Sequence, residues 1–437
     1  MNILFIYPSS LTYGRQKFSA SLPGRLILRY VSPPFLDFQF LSLVTPDKHS
    51  INLVSEEYTS IDYEGEYDLV GITAGTQNVI RAYEIADEFR RRGTKVVMGG
   101  WHASSLPMEA KQHADSVVIG EAEETWPQLL KDFENGKLKP FYKQERPVDL
   151  KKLPLVDENK IKKHGFATFI QATRGCPYGC KYCSITNTEH WRVFRTRPIE
   201  HVIDELRKIP QKFICFGDSS LTINVKYTKQ LFYEMKDLNK KFSADGNIQV
   251  LGRDDELLKL AAEAGCIHWV SGFESINPKN IDEFCNKTKQ SSDYKKAIKK
   301  IKDYGMELYA NFMFGFDNDT KDSFKQTLDA IYDWDLTHPN FFILTPYPNT
   351  PICHQLEKEG RILTRDWSLY NLRNVVFQPK NMAPEELKEG TLNLFYEFYS
   401  TKNVIEKAIK SSKIGFYPFV FSAITNLYFS WTLLKRL

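Results

Sequence analysis

The chain has 437 residues, of which 42% are hydrophobic, and its 58 lysines and arginines nearly balance its 54 aspartates and glutamates. This length predicts two or three domains, and a net charge of +4 is too small for a nucleic-acid-binding protein of that size. Seven cysteines, three of them clustered, are typical of a reducing compartment, and the apolar run at the N-terminus is too short for a signal peptide, so we expect a cytoplasmic protein.

Residues 1–145 alternate predicted strands and helices. The predicted strands are Asn2–Tyr7, Leu69–Thr73, Lys95–Met98 and Val117–Glu121. A helix between the second and third is indicated by apolar residues at three- and four-residue steps, namely Val79, Tyr83, Ala86 and Phe89. Gly93 follows as its C-cap. These repeats predict a doubly wound, parallel, Rossmann-like sheet that binds a ligand at the carboxyl ends of its strands.

The chain between residues 146 and 165 is a predicted linker, because it contains Pro147, Pro154 and a lysine-rich stretch. From residue 166 to residue 365 the alternation resumes with six predicted strands: Thr168–Ala172, Phe213–Gly217, Phe242–Ile248, His268–Phe273, Glu307–Phe316 and Asn340–Thr345. Two of the helices between them are followed by Gly265 and Gly305 as C-caps. Six such units predict a partial (β/α) barrel, with its active site at the carboxyl ends of the strands.

Three cysteines follow the first barrel strand on one short loop, at Cys176, Cys180 and Cys183. Each thiolate can bind a different iron of a 4Fe–4S cube, which normally has four cysteine ligands. The next cysteine is Cys215, so one iron is left open for a small molecule. Structural zinc is the alternative, but His190 alone does not complete the spacing of a zinc site.

The run Cys-x-x-x-Cys-x-x-Cys, with the aromatic Tyr182 before its last cysteine, resembles the signature of the radical S-adenosylmethionine (SAM) superfamily. In that family SAM chelates the open iron, and one electron from the cluster cleaves it to methionine and a 5′-deoxyadenosyl radical that abstracts hydrogen from a substrate. The resemblance also implies an electron donor such as flavodoxin or ferredoxin. It places SAM contacts at Tyr182, Asp218, Gly272, Glu274 and Ser275. Asp218 is explained equally well as a turn residue.

The turns at residues 99–102 and 120–123 resemble loops of the cobalamin-binding domain that precedes many radical SAM barrels. The resemblance implies cobalamin contacts at Gly75, Thr76, Gly99, Gly100, Gly120 and Glu121. The motif Asp-x-His-x-x-Gly, which supplies a histidine to cobalt in other cobalamin domains, is absent from the sequence, and His102 does not fit it. The alternative is a Rossmann-like domain that binds a nucleotide or nothing, although the first strand is not followed by Gly-x-Gly-x-x-Gly.

From Gly272 to Tyr399 the chain resembles one branch of cobalamin-dependent radical SAM proteins, which includes hopanoid and bacteriochlorophyll methylases. The resemblance implies methylation of an unactivated carbon of a hydrophobic substrate such as a lipid or a tetrapyrrole. A non-methylating rearrangement, cyclisation or oxidation with the same cofactors is the first alternative, and a non-enzymatic cobalamin or redox sensor is the second. Asn349 replaces the glycine usual in one turn of the branch, and asparagine tolerates left-handed backbone there.

Residues 366–437 are a predicted C-terminal helical region with an apolar tail. Of the 24 residues Ile414–Leu437, 15 are apolar or aromatic, and Phe419–Leu434 is the candidate helix. Sixteen residues reach only about 24 Å, short of the roughly 30 Å hydrocarbon core of a bilayer. The tail therefore predicts either a helix in a membrane surface or a helix packed on the barrel.

Predictions also concern two cysteines outside the cluster loop and the residues that follow that loop. Cys215 and Cys266 lie in apolar settings and are expected in the core. Trp191 and Arg195 follow the cluster loop, where they either approach a ligand or lead into a helix that starts at Pro198.

Overall fold

The computed structural model describes residues 1–10, 36–57, 59–155, 165–286, 294–417, 419, 420, 423 and 426. Its N-terminal sheet consists of β1 (Asn2–Tyr7), β2 (Ser50–Ser55), β3 (Leu69–Thr73), β4 (Lys95–Gly99), β5 (Ser116–Ile119) and β6 (Phe141–Lys143). The helices around it are α1 (Leu36–Val44), α2 (Val79–Arg91), α3 (Trp101–Ser105), α4 (Pro107–His113) and α5 (Thr125–Glu134).

All six strands of this sheet run parallel, in the order β2-β1-β3-β4-β5-β6. Every residue of β3 is buried, which explains its unbroken apolar run. The four predicted apolar residues of α2 are all buried, and Gly93 ends the helix with a φ of +89°. Because β2 lies on one side of β1 and β3 on the other, the strand order reverses there, and ligands of such sheets bind at the carboxyl ends beside that reversal. The predicted Rossmann-like sheet is confirmed.

The second sheet is also parallel. Its strands and the short antiparallel pair beside it are β7 (Ala167–Ile170), β8 (Thr173–Arg174), β9 (Arg195–Thr196), β10 (Phe213–Phe216), β11 (Lys241–Asp245), β12 (Cys266–Glu274), β13 (Glu307–Phe314) and β14 (His338–Ile343). The helices are α6 (Ser184–Asn187), α7 (Ile199–Lys208), α8 (Val225–Met235), α9 (Ile248–Arg253), α10 (Asp255–Ala264), α11 (Pro278–Phe284), α12 (Tyr294–Asp303), α13 (Asp322–Asp333) and α14 (Pro351–Lys358).

The strand order β14-β13-β12-β11-β10-β7 follows the chain, with β7 and β14 at the two edges. This is the partial barrel that the sequence predicts, and the six predicted strands match the observed ones to within three residues. Gly265 and Gly305 end their helices with φ values of +97° and +79°. Cys266 is buried as expected, whereas Cys215 is only partly buried.

The chain that joins the two sheets is packed at its start. Val148, Leu150 and Leu153 form a small apolar cluster with Phe40 of α1. The rest of the predicted linker, residues 156–164, lies outside the described residues.

The C-terminal region is helical from Pro384, in α15 (Pro384–Phe398) and α16 (Thr401–Ser412). Residues 366–383 contain a single 3-10 turn, so the predicted helical region begins later than expected. The phenol of Tyr399 donates to the carbonyl oxygen of Pro339 at 2.6 Å and holds the end of α15 on β14. The predicted tail helix Phe419–Leu434 lies outside the described residues apart from four positions. In the part of the chain that the structure describes, no helix is long and apolar enough to cross a membrane.

Candidate active site between two parallel sheets

The three clustered cysteines lie on the loop between β8 and α6, just past the first barrel strand. Cys176 and Cys180 are buried, and Cys183 is partly buried. The loop starts at Gly175, whose φ is +90° and where a Cβ would lie 2.2 Å from the carbonyl oxygen of Val193. Only glycine allows the backbone to turn so closely there.

Polar side chains of α6 hold the cysteine loop in place. The Thr186 hydroxyl donates to the carbonyl oxygen of Cys176 at 2.8 Å. The Asn187 amide donates to the carbonyl oxygens of Cys180 and Cys183 at 2.9 and 2.7 Å. Sequence reasoning missed both residues, although a threonine and an asparagine within four positions of the last cysteine are a readable signal for such loop bonds.

The loop offers three thiols, which suits a 4Fe–4S cluster with one open iron better than a zinc site with four ligands. Among the described residues, no three His, Cys, Asp or Glu side chains converge as the ligands of one metal ion do. A 4Fe–4S cube does not require convergence, because each thiolate binds its own corner iron. Three free cysteines on one short loop therefore fit a cluster better than structural zinc.

Glu274 lies close enough to Tyr182 of the cysteine loop for its charge to act on the phenol. Glu274 ends β12 with a left-handed φ of +62°. Its carboxylate folds over Gly272, where a Cβ would lie 2.1 Å from Oε1, so a side chain at residue 272 would displace the carboxylate. Burial and the nearby charge of Glu274 raise the pKa of Tyr182, and they also raise that of Cys285. A carboxylate close to the cysteine loop can accept hydrogen bonds from an ammonium group.

Ser275 fixes the turn that follows Glu274. Its hydroxyl accepts hydrogen bonds from the backbone N–H of Asn277 and from the side-chain amide of Asn280, both at 3.1 Å. The Asn280 amide also donates to Asp319 at 2.7 Å, which links the turns after β12 and β13. The structure thus gives Ser275 a role in shaping this edge of the barrel.

Asp218 has its partners within the protein. Its carboxylate accepts the Thr173 hydroxyl at 2.6 Å, the Ala172 N–H at 3.2 Å and the Thr173 N–H. Burial raises the pKa of Asp218 to about 6. These contacts brace the backbone that leads into the cysteine loop and give Asp218 a structural role, while its predicted contact with SAM stays a prediction.

A cavity opens at the carboxyl ends of β3, β4 and β5. Four predicted cobalamin contacts line it: Gly99, Gly100, Gly120 and Glu121. Gly100 has a φ of +93°, and a Cβ there would lie 2.7 Å from the Thr73 hydroxyl oxygen. The backbone itself therefore forms this wall, which suits close approach of a large flat ligand.

A second cavity lies between the N-terminal sheet and the barrel. Gly75 and Thr76 line this cavity rather than the first, opposite Ser184 and Ile185, which directly follow the cysteine loop. Thr73 and Trp101 line both cavities and so form the partition between them. Sequence reasoning did not single out Trp101. The sequence did indicate Trp191, which lines the first cavity. The ring centres of Trp191 and Trp101 are 4.6 Å apart.

Glu121 lines the first cavity, but barrel residues hold its carboxylate. Arg174 donates to Oε1 at 2.9 Å, and Arg195 donates to both oxygens at 2.7 and 3.0 Å. Glu123 lies 2.8 Å from the same Arg174 nitrogen. Glu121, Glu123 and Arg174 are buried, and Arg195 is partly buried. We call Glu121, Glu123, Arg174 and Arg195 the buried quartet; it joins the wall of the first cavity to the strands beside the cysteine loop.

His102 is held in a separate buried network. Its Nδ1 lies 3.3 Å from the Thr76 hydroxyl, and its Nε2 lies 3.2 Å from Glu109. Glu109 also accepts the indole N–H of Trp367 at 3.0 Å, which ties the C-terminal region to the N-terminal sheet. Both ring nitrogens of His102 thus have protein partners, in agreement with its poor match to a cobalt-ligand motif.

Two family models match the chain. One is described as the radical SAM superfamily and matches residues 170–331, and the other is described as the B12 binding domain and matches residues 53–130. They coincide with the barrel and with most of the N-terminal sheet. The two sets of predicted cofactor residues therefore lie in or beside the two matched regions.

Two similar proteins modify tetrapyrroles according to their names. Bacteriochlorophyllide d C-8(2)-methyltransferase of Chlorobaculum tepidum is 32% identical over 84% of this chain and 86% of that protein. Anaerobic magnesium-protoporphyrin IX monomethyl ester cyclase of Cereibacter sphaeroides is 27% identical over 92% of this chain and 71% of that protein. Among solved structures, the radical S-adenosylmethionine methyltransferase TsrM of Kitasatospora setae, with cobalamin and a 4Fe–4S cluster bound, has the same fold. It matches 82% of this chain and 78% of its own with a TM-score of 0.66 at 18% identity.

Proposed function

The chain belongs to the cobalamin-binding branch of the radical SAM superfamily, and we propose that it transfers a methyl group to an unactivated carbon of a tetrapyrrole. It is an enzyme whose cofactors are a 4Fe–4S cluster, SAM and cobalamin. When bound, the cluster and SAM supply a radical and cobalamin supplies a transferable methyl group, while the protein orients them and excludes water. The observation that carries the proposal is that the two cavities share Thr73 and Trp101, so a substrate in one lies beside a ligand in the other.

We assign the chain's own residues as follows. Cys176, Cys180 and Cys183 hold the cluster. Glu274 accepts hydrogen bonds from the amino group of SAM, and Tyr182 packs beside it on the cysteine loop. The remaining assignments are Gly272 and Ser275, which shape the SAM-binding turn, and Gly75, Thr76, Gly99, Gly100 and Gly120, which allow cobalamin and substrate to approach the backbone.

The second cavity supports a flat, apolar substrate. Its aromatic lining comes from Tyr7, Trp101, Phe169 and Tyr347. None of the described residues that line it is charged. The carboxylates of a tetrapyrrole would then lie outside this lining, with the apolar edge of the ring towards Trp101.

Methyl transfer is favoured over oxidative cyclisation by the relatives. The methyltransferase is 32% identical to this chain and is covered over 86% of its length, whereas the cyclase is 27% identical and is covered over 71%. A labelled-methyl experiment separates the two reactions. The anaerobically reconstituted enzyme is incubated with reductant, a magnesium chlorin and SAM that carries a labelled methyl group.

The expected product is a chlorin that is heavier by one labelled methyl group. An unlabelled product would contradict methyl transfer, and a product with a new ring would indicate cyclisation instead. A porphyrin-binding titration tests the substrate class separately: Phe169→Asp should weaken binding at least tenfold, because it places a charge against an apolar ring. Tyr233→Asp, at an exposed tyrosine on α8, is the matched control. Equal affinities of the two variants would contradict the tetrapyrrole assignment.

Two partners complete the proposal. The cluster needs a one-electron donor, for which flavodoxin or ferredoxin is the expected class. We also place the protein peripherally at the cytoplasmic membrane, because 15 of its last 24 residues are apolar or aromatic.

A further inference from the structure

The amino ends of the barrel strands are closed by the C-terminal helix. The Ser411 hydroxyl of α16 donates to Glu307 at the start of β13, at 2.5 Å. Lys407 lies on the same buried face of α16, with its Nζ 2.9 Å from the centre of the Phe398 ring. After the helix, Tyr417 packs edge-on against Phe213 at the start of β10, with 5.9 Å between ring centres. This floor of the barrel is opposite the two cavities, which open at the carboxyl ends of the strands.

The outer side of the floor is unusually apolar. Ile405 and Ile409, four residues apart and therefore on one face of α16, are 59% and 57% exposed. Phe416 is 73% exposed, and Phe166, which stacks on Phe213 at 4.2 Å, is 42% exposed. We call Phe166, Ile405, Ile409 and Phe416 the floor patch. Isolated exposed apolar side chains are ordinary, but four of them along one helix and the neighbouring corner form an extended surface.

Lysines surround the floor patch. Lys402 and Lys413 of the α16 segment and Lys212 before β10 are exposed. Lys212 and Lys241 also lie 5.8 and 5.3 Å from the ring centre of Tyr417. The two acidic neighbours are compensated by two lysines, since Lys302 and Lys410 each pair with Asp335 at 2.8 Å and Lys410 also pairs with Glu406 at 3.3 Å. The rim of the patch therefore carries an excess of positive charge.

We propose that the floor patch docks on the surface of an anionic lipid bilayer. Apolar side chains flanked by lysines are the pattern of interfacial helices, in which the apolar groups enter the acyl boundary and the lysines meet anionic headgroups. A second copy of the chain is a poorer occupant, because a two-fold contact would place the lysine rims against each other. This proposal locates the membrane contact of the proposed function on a defined surface, and it leaves both cavities facing away from the lipid.

Vesicle co-sedimentation of the full chain tests the proposal without cofactors or substrate. Phosphatidylcholine vesicles are compared with vesicles that also contain phosphatidylglycerol. The wild-type chain should bind the anionic vesicles more tightly. The apolar variant Ile405→Ser/Ile409→Ser/Phe416→Ser and the charge variant Lys212→Glu/Lys402→Glu/Lys413→Glu should each lose at least tenfold in affinity. Met108→Ser/Tyr233→Ser, at two exposed apolar positions elsewhere, is the matched control and should bind like wild type.

A chain that ends at Tyr417 separates the floor patch from the apolar sequence beyond it. Retained binding of that chain, with loss in both patch variants, supports the patch. Unchanged binding of the two patch variants, equal binding to neutral vesicles, or a patch-dependent dimer in sedimentation velocity would overturn the proposal. SAM cleavage by the patch variants is measured in parallel and should equal that of wild type, so failure of docking and failure of the proposed chemistry give different results.

Discussion

Replacing Arg174 should remove a contact between the cavity wall and the strand before the cysteine loop, and it should strongly lower the free energy of unfolding. Arg174 is buried between Glu121 and Glu123, and its guanidinium also lies 5.0 Å from the ring centre of Phe40. In Arg174→Met, Glu121 keeps its two contacts with Arg195. Glu123, however, loses the one ion-pair partner that the described residues provide.

The size of the effect follows from burial. Removing one partner of a buried ion pair leaves an uncompensated charge and costs about 3–5 kcal/mol. Glu121→Gln should cost less, about 1–3 kcal/mol, because Arg174 keeps Glu123 and the amide oxygen still accepts hydrogen bonds. The double variant should be less destabilised than the sum by about 0.5–3 kcal/mol, since both substitutions act on one network.

Urea unfolding followed by tryptophan fluorescence, with hydroxocobalamin retention as a second readout, measures these differences. The control is Lys325→Met, which removes an exposed pair with Asp329 and should change the free energy of unfolding by less than about 1 kcal/mol. A change for Arg174→Met as small as that of the control, or strict additivity in the double variant, would refute the reasoning.

The same network predicts a pH dependence. Burial opposes ionisation of Glu121, but hydrogen bonding from Arg195 and the charges of Arg174 and Arg195 lower the pKa of the carboxyl group. A carboxyl group whose pKa is lower in the folded than in the unfolded chain stabilises the fold at pH values above its unfolded pKa of about 4.3. This stabilisation is lost as the pH falls through the pKa of the folded state. The unfolding free energies of wild type and Arg174→Met should therefore converge only in acid.

Three further predictions concern the cofactor residues. Replacing Cys176, Cys180 or Cys183 by Ala should abolish cluster absorbance and SAM cleavage. The controls Cys215→Ala and Cys353→Ala should keep full iron content, and loss of iron in Cys215→Ala would contradict the three-cysteine assignment. Glu274→Gln should weaken SAM binding while the iron content stays unchanged. Gly100→Ala should impair corrinoid retention, because its Cβ would lie 2.7 Å from the Thr73 hydroxyl at a φ of +93°. Gly93→Ala is the control, because Gly93 has a similar φ of +89°, its Cβ would meet nothing within 4 Å and it does not line the cavity; equal retention by the two variants would show that the backbone wall does not contact the ligand.

Local spacing in the sequence was enough to predict the two sheets and the cysteine loop. The apolar positions of α2, the helix-ending Gly265 and the three closely spaced thiols act within a few residues of one another. Their geometry is set by helix periodicity and short loops, which do not depend on the rest of the fold. Asn349 is a similar case: it takes the left-handed φ of +63° that its turn requires.

Contacts between distant parts of the chain were decided only by the tertiary structure. Glu121 was predicted to contact cobalamin, yet its carboxylate is held by Arg174 and Arg195, which lie 53 and 74 residues further along. Asp218 faces the backbone before the cysteine loop from 45 residues away. A carboxylate has the same sequence signature whether it binds a ligand or a buried arginine. Its partner is set by how the two sheets pack, and no local spacing encodes that packing.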